Sequence, residues 1–129
     1  DLIVSCDRNN MEVVKEYPVY GYVPFMQTVG CLKKTFGKCD GKSGITMLTD
    51  RMGKKLPVVN QCAICENTVY NSVPLDLTKE IKEVNCDYGR ICFTIEQKET
   101  VQDVLTAICS GDKLPVDEFT KGHFKKGVE

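Results

Sequence analysis

The sequence is short of the residues most enzymes use for polar chemistry at neutral pH. It holds a single histidine, His123, in 129 residues. A hydrolytic triad needs a histidine base held by an acid and facing a nucleophile, and nothing in the sequence sets a Ser or Cys beside His123. The zinc-protease signature H-E-x-x-H is absent, as are the Walker loop and the dinucleotide fingerprint. Paired carboxylates of the glycosidase type are missing too. Net charge is also lacking. With 17 basic and 18 acidic side chains the formal charge is −1, which gives no strong electrostatic case for nucleic acid or an anionic membrane as partner. No apolar run approaches the roughly 18 residues of a membrane-spanning helix, and no signal peptide is visible.

Cysteine is what the chain has in quantity. Eight in 129 residues is about 6%, below the roughly 8–10% of a short disulfide scaffold. A charged fraction of 27% and long amphipathic patterns suit an ordinary cytoplasmic protein with reduced thiols. Four of the eight bracket a two-stranded pattern: Cys31 and Cys39 before it, Cys62 and Cys65 after it. The spacing is C-x7-C, then C-x22-C, then C-x2-C. A C-x2-C pair sets two thiols on one tight turn, and a second pair from across a hairpin would complete four sulfur ligands. That donor set suits tetrahedral zinc or an iron–sulfur cluster. Disulfides, or free thiols with Lys33, Lys34 and Lys38 favouring the thiolate, are the other two readings of the same residues. All four lie in loop-like sequence, where core packing explains a cysteine poorly. Cys6, Cys86, Cys92 and Cys109 read instead as packing residues.

The length fits one domain over residues 1–129, large enough to bury a core without metal or disulfide support. Asp7 caps an expected short helix running to about Glu16, ended by Pro18. The β-branched and aromatic run Val19–Met26 predicts one strand, with Pro24 marking an edge or irregularity. Residues 45–49 and 55–59 flank Asp50-Arg51-Met52-Gly53-Lys54 and predict a hairpin with Gly53 at positive φ. A short strand over Asn67–Asn71 follows. Asp76 is placed to cap a helix with Leu77, Ile81 and Val84 on one face. Alternation over Tyr88–Ile95 predicts a strand with Ile91, Phe93 and Ile95 on one side. Thr100 and Asp103 form a capping-box-like start to a helix whose stripe is Val101, Val104, Leu105 and Ile108, stopped by Gly111. Strand–helix alternation in the second half predicts parallel pairing and an α/β, mixed α+β, fold. Residues 112–129 read as an extended tail, with Lys121, Lys125 and Lys126 solvated and His123 exposed or docked on a partner. Asp50 and Arg51 read as turn residues or, alternatively, as a charge pair in a site.

Several segments together resemble the collagenase-like peptidase family of unassigned catalytic type (peptidase family U, number thirty-two). Val19-Tyr20-Gly21-Tyr22-Val23-Pro24-Phe25-Met26 is similar to its tyrosine-glycine, proline-leucine-methionine strand, with Cys31 following. Leu48-Thr49-Asp50-Arg51-Met52-Gly53 resembles its aspartate-arginine-x-glycine turn, and Leu56-Pro57-Val58 its Phe-Pro-Val segment. Cys62-Ala63-Ile64-Cys65 leads into Asn67-Thr68-Val69-Tyr70-Asn71-Ser72-Val73-Pro74-Leu75, similar to its isoleucine-tyrosine-asparagine-serine stretch. Arg90-Ile91-Cys92-Phe93-Thr94 resembles a strand that usually carries an acidic residue where Cys92 stands. Phe119-Thr120-Lys121-Gly122-His123-Phe124 is similar to the threonine-arginine-glycine-histidine tail, with Lys121 in place of arginine.

The matches run in order from about Val19 to Val128. Family members are normally longer, with a preceding β/α-barrel half. The resemblance therefore implies the C-terminal portion of a longer protein, partly barrel-like, with an inserted hairpin flanked by the four cysteines. The barrel's N-terminal half would be its partner, and open sheet edges invite a homodimer. The family label implies a peptidase acting on collagen-type substrates. Relatives resembling iron–sulfur hydroxylases of RNA bases or a quinone precursor imply instead a [4Fe–4S] cluster on Cys31, Cys39, Cys62 and Cys65. Zinc in a structural module is the third expectation. Asp50, Arg51, Arg90 and His123 are the expected substrate or domain contacts, and no catalytic residue is assigned.

Overall fold

Two antiparallel hairpins and one parallel strand pair set the architecture. A computed structural model describes residues 14–37, 39–122 and 124. In chain order it contains β1 (Glu16–Gly21), β2 (Pro24–Thr28), α1 (Leu32–Thr35), β3 (Gly44–Thr49), β4 (Lys55–Gln61), β5 (Glu66–Tyr70) and β6 (Leu75–Asp76). A 3-10 turn (Glu80–Glu83), β7 (Tyr88–Cys92) and α2 (Lys98–Ser110) follow. The fold is mixed α+β. The strands form a three-stranded sheet in the order β6-β1-β7 and a four-stranded sheet in the order β2-β5-β4-β3. β1 and β7 pair in parallel and every other pair is antiparallel; the two strands of the second half that the strand–helix alternation would have paired, β5 and β7, lie in different sheets. No described helix is long and apolar enough to cross a membrane.

The single strand expected over Val19–Met26 is two strands in two different sheets. Gly21 is the cause. Its φ is 136°, and a Cβ at this position would collide with the backbone carbonyl of Cys92. Only glycine brings β1 that close to β7 while turning the chain out of the sheet. β2 then starts at Pro24 as an edge strand, with a register irregularity between Pro24 and Met26. Proline is tolerated there because no ladder hydrogen bond is required of its nitrogen. The chain returns at β6, where Leu75 pairs with Gly21 and Asp76 with Tyr20. The whole four-stranded sheet is therefore an excursion between two paired residues of the first sheet.

The β3–β4 hairpin forms as its turn chemistry predicts. Asp50 Oδ1 accepts the backbone N–H groups of Met52 and Lys54, both at 2.8 Å, and Gly53 sits at φ 78°. The helix expected from Asp76 does not form. Asp76 belongs to β6, and its Oδ1 accepts from Thr78 N at 3.0 Å and Thr78 Oγ1 at 2.7 Å. Such local side-chain bonds offer the backbone an alternative to a helix, and only the 3-10 turn Glu80–Glu83 remains. The helix expected over residues 7–16 lies outside the described residues except at its end, where Glu16 opens β1 instead.

α2 starts two residues before Thr100 and has Gln97 as its N-cap without a side-chain cap bond, so the Thr100–Asp103 box is not used. Gly111 ends it in the left-handed conformation, as expected. Val104 and Ala107 are the buried positions; Leu105, placed in the stripe by sequence, is 40% exposed. Tyr20, Val104, Ala107 and Leu114 form the main core, with Ile91, Phe93, Ile108 and Val116 packed on it. Tyr20 and Phe93 stack tilted, with ring centroids 5.7 Å apart. Residues 112–122, part of the segment expected to be an extended tail, carry Leu114 and Val116 onto this core. The segment returns along the core, and Thr120 bridges Leu75 in parallel. Cys109 is exposed rather than packed, while Cys86 and Cys92 are half-buried.

Candidate thiol site

The β4–β5 hairpin closes with Gln61 paired to Glu66, leaving Cys62-Ala63-Ile64-Cys65 as its turn. Ile64 N donates to Gln61 O at 3.2 Å and Cys65 N to Cys62 O at 3.4 Å. Cys65 takes φ 52°, the one positive φ outside glycine among the described residues. A cysteine in the left-handed region is uncommon and costs of order 1–3 kcal/mol, a strain that clusters at functional sites. The turn thus places two cysteines at one end of the four-stranded sheet.

The other two cysteines reach the same end because of strand direction. β2 runs out at Thr28 opposite Asn67, and β3 begins at Gly44 opposite Asn60. Residues 29–43, which carry Cys31 and Cys39, must therefore cross the sheet end where Cys62 and Cys65 sit. A buried polar chain fixes that crossing. Thr46 Oγ1 donates to Asn60 Oδ1 at 3.0 Å, Asn60 Nδ2 to Asn67 Oδ1 at 2.6 Å, and Asn67 Nδ2 to Gly30 O at 3.0 Å. Both asparagines are 1% exposed. Cys31 comes next in the chain, buried, and its carbonyl accepts from Thr35 N and Thr35 Oγ1 to start α1. The sequence reading missed Asn60 and Asn67. Their signal was present: each stands two residues outside the C-x2-C pair, at the last inward-facing position of its strand.

Around Cys62 the electrostatics register the convergence. Burial pushes the Cys62 thiol up from its ordinary pKa; the Lys33 ammonium works against this, and charge on Cys31, Cys39 and Asp40 adds to the rise. Lys33 is itself raised, first by its hydrogen bond to Asp40, and Asp40 is lowered, first by the same bond. Cys62 Sγ donates to Lys42 O at 2.9 Å, and Cys65 Sγ lies 3.9 Å from Cys62 O. The described cysteines are all free thiols. The donor type and the shared sheet end fit a thiophilic metal or cluster. The side chains are not gathered to ligating positions: among the described residues no group of three or more His, Cys, Asp or Glu is poised to hold a metal ion.

The remaining expected site residues lie elsewhere. Asp50 and Arg51 occupy the opposite end of the β3–β4 hairpin, about 17 Å away along six-residue β3. Asp50 acts there as a turn residue. Arg90 pairs with Glu16 at 2.9 Å on the three-stranded sheet, both side chains about half exposed. His123 lies outside the described residues. A concavity of about 580 Å³ away from the cysteines had no sequence signal. Tyr20, Tyr22 and Glu96 line it. Glu96 Oε2 accepts from Thr94 N and Ile95 N, while its buried Oε1 has no partner among the described residues. Burial, followed by the Glu96 charge, pushes Tyr20 up to about 12 and raises Tyr22 as well.

No protein-family model, curated protein or solved structure matches this chain.

Proposed function

We propose that Cys31, Cys39, Cys62 and Cys65 form a thiolate centre that holds a [4Fe–4S] cluster. In this reading the chain is the C-terminal portion of a collagenase-like peptidase family protein. The observation that carries it is the delivery of two separated cysteine-bearing segments to one end of one sheet. Cys39 and Cys65 are exposed, Cys62 is half-buried and Cys31 is buried. A cluster so held supplies one-electron chemistry at a potential set by hydrogen bonds to its sulfurs and by solvent exposure. The chain's own part is to place four thiols, to keep Cys31 shielded, and to offer the Lys33 cation against accumulated negative charge.

The peptidase label rests on the resemblance, and the thiol arrangement favours the cluster-dependent hydroxylation of RNA or a quinone precursor. The parallel β1–β7 pair and the helix that follows it support reading the three-stranded sheet as the closing part of a β/α barrel. Its edge at β7 would then meet the N-terminal half. One observation favours zinc in a structural role instead. Two thiols on a four-residue hairpin turn, one of them at positive φ, suit a closed tetrahedral site.

Elemental analysis of oxygen-protected protein separates these. Brown protein with iron and acid-labile sulfide, both lost in Cys62→Ser, is the expected result. Colourless protein with one zinc per chain selects the structural site. Protein that retains neither metal, and binds neither after reconstitution under reductant, overturns the thiolate centre.

A further inference from the structure

We propose that the cavity at the carboxyl ends of β1 and β7 is a binding site for a small organic cation, a protonated amine on an apolar body. No cysteine lines it, so the site stands independently of the thiolate centre. β1 and β7 run in parallel and finish together, with Gly21 opposite Cys92. Beyond that point their connections diverge. β1 leaves through Tyr22 for the four-stranded sheet, and β7 leaves through residues 93–97 for α2. Diverging connections at the carboxyl ends of neighbouring parallel strands open a crevice, which is where sheets with parallel strands take their ligands. The cavity of about 580 Å³ lies in that crevice, within the size range of small-molecule sites. β6 starts at the same end, so Pro74 joins the wall, and Val116 comes from the segment that packs on the core.

The charge of the lining selects the ligand. Glu96, Asp117 and Glu118 line the cavity, and no Lys, Arg or His does. Lys54 reaches Glu118 at 3.4 Å from the β3–β4 turn, but the two side chains are 56% and 69% exposed, and such a pair is weak. Glu96 and Asp117 have no ion-pair partner among the described residues. Asp117 and Glu118 are exposed and give the cavity an acidic rim, which draws cations in. Glu96 is the fixed element. Its Oε2 accepts from Thr94 N at 2.7 Å and from Ile95 N at 3.0 Å, which ties the carboxylate to the loop between β7 and α2. Oε1 is buried and has no partner among the described residues. An unpaired buried acceptor is costly, and an ammonium N–H would satisfy it. That oxygen is shielded from solvent, so the donor reaches it by pushing a lining side chain aside. Tyr20 and Tyr22, with Ile95 and Val116, supply an aromatic and apolar wall that a bare metal ion would not use. Among the described residues no three of His, Cys, Asp or Glu are gathered to hold a metal ion. A larger organic cation therefore fits this acidic lining better than a divalent metal.

The test titrates the whole chain, under reductant, with phenethylammonium chloride and follows the backbone amides by NMR. Saturable shifts confined to residues 93–100 and 116–118 are expected, with a Kd of about 1 mM or tighter. Phenethyl alcohol has nearly the same shape without the charge, and it should bind at least about tenfold more weakly, the factor that a hydrogen bond to a charged group supplies. Glu96→Gln keeps an acceptor for Thr94 and Ile95 while removing the charge, and it should weaken amine binding by a similar factor of about ten. Asp117→Asn, at the exposed rim, should weaken it by about two- to fivefold. If Glu96→Gln does not fold, the alcohol and Asp117→Asn carry the comparison. Equal binding of amine and alcohol overturns the cation site, as does amine binding to Glu96→Gln within about twofold of the parent. Shifts that never saturate, or that spread over carboxylates elsewhere on the surface, overturn it too. Mn²⁺ that broadens the same amides and displaces the amine overturns it in favour of a metal. Each of these results leaves the thiolate centre standing.

Discussion

Replacing Asn67 by Ala should both destabilise the protein and loosen the Cys31 segment. The amide of Asn67 accepts from Asn60 Nδ2 and donates to Gly30 O, deep under the thiol end of the sheet. Removing it leaves Asn60 Nδ2 buried without an acceptor, which costs about 1–3 kcal/mol, and it deletes the ordinary bond to Gly30, worth about 0.5–1.5 kcal/mol. The expected loss is therefore about 1.5–4.5 kcal/mol, a large part of the roughly 5–15 kcal/mol that holds such a domain together. Urea unfolding measures it as a fall in midpoint at unchanged slope. The double variant with Asn60→Ala supplies a sharper check. Once Asn60 is gone there is no orphaned Nδ2, so the second substitution should cost much less than the first, with a coupling of about 1–3 kcal/mol. Alkylation of Cys31 in the folded, metal-free protein should rise at least tenfold in Asn67→Ala. A loss below about 0.5 kcal/mol, additive effects, or unchanged Cys31 labelling would each refute the claim that this polar chain anchors the thiol segment.

Three further outcomes follow from other parts of the fold. Gly21→Ala should cost more than about 3 kcal/mol, since it adds backbone strain to a collision with the Cys92 carbonyl; soluble variant with parental unfolding midpoint would contradict the close approach of β1 and β7. Asp50→Ala removes two turn hydrogen bonds and should cost about 1–2 kcal/mol in urea titrations, yet leave Co²⁺ affinity unchanged because the turn is at the far end of the sheet. Tyr20 has its folded pKa raised from 10.0 to about 12, so the folded state holds the phenol proton more tightly than the unfolded chain. The stability it contributes is complete below pH 10 and is lost as pH rises toward 12. Tyr20→Phe should flatten that alkaline fall, read from unfolding midpoints between pH 9 and 12, and an identical fall in both proteins would remove Tyr20 as its source.

What the sequence made legible is mostly local. The β3–β4 hairpin is readable because Asp50 and Gly53 fix the turn and alternation fixes the strands, all within a dozen residues. The end of α2 is readable because Gly111 supplies a conformation few other residues adopt. The convergence of cysteine-bearing segments is readable because C-x2-C implies a turn and a hairpin brings its flanks together. What stayed hidden is decided by distant chain. Val19–Met26 has the composition of one strand, and only the approach of Cys92 to Gly21 cuts it in two. Leu77, Ile81 and Val84 have helical spacing, but pairing of β6 with β1 takes the segment before a helix can start. Leu114 looks like an isolated apolar residue in a polar tail until Tyr20 and Val104 give it a surface to cover. Asn60 and Asn67 are invisible for a related reason, since a buried asparagine reads as a loop residue unless its partner is known.

The excursion from Gly21 to Leu75 also buries little apolar surface of its own. The three-stranded sheet has α2 and the 112–122 segment to bury its apolar side chains. Within the four-stranded sheet only Val58 and Val69 are fully buried hydrophobic side chains among the described residues, beside the equally buried Asn60 and Asn67. Meanwhile Phe25, Phe36, Ile45 and Met47 stay at least half exposed. Burying two valines yields about 3–6 kcal/mol, whereas ordering each residue of the excursion costs on the order of 1–2 kcal/mol. Backbone ladders and the asparagine chain narrow that gap without supplying an apolar centre. Four thiolates on one metal centre would tie the two loop segments together at the sheet end opposite the Asp50 turn, and binding energy of that kind counts directly as folding energy. The same comparison makes a definite demand: metal should raise the protection of β4 and β5 amides far more than those of α2. Equal protection across both sheets would mean that the excursion is held by something other than its thiols.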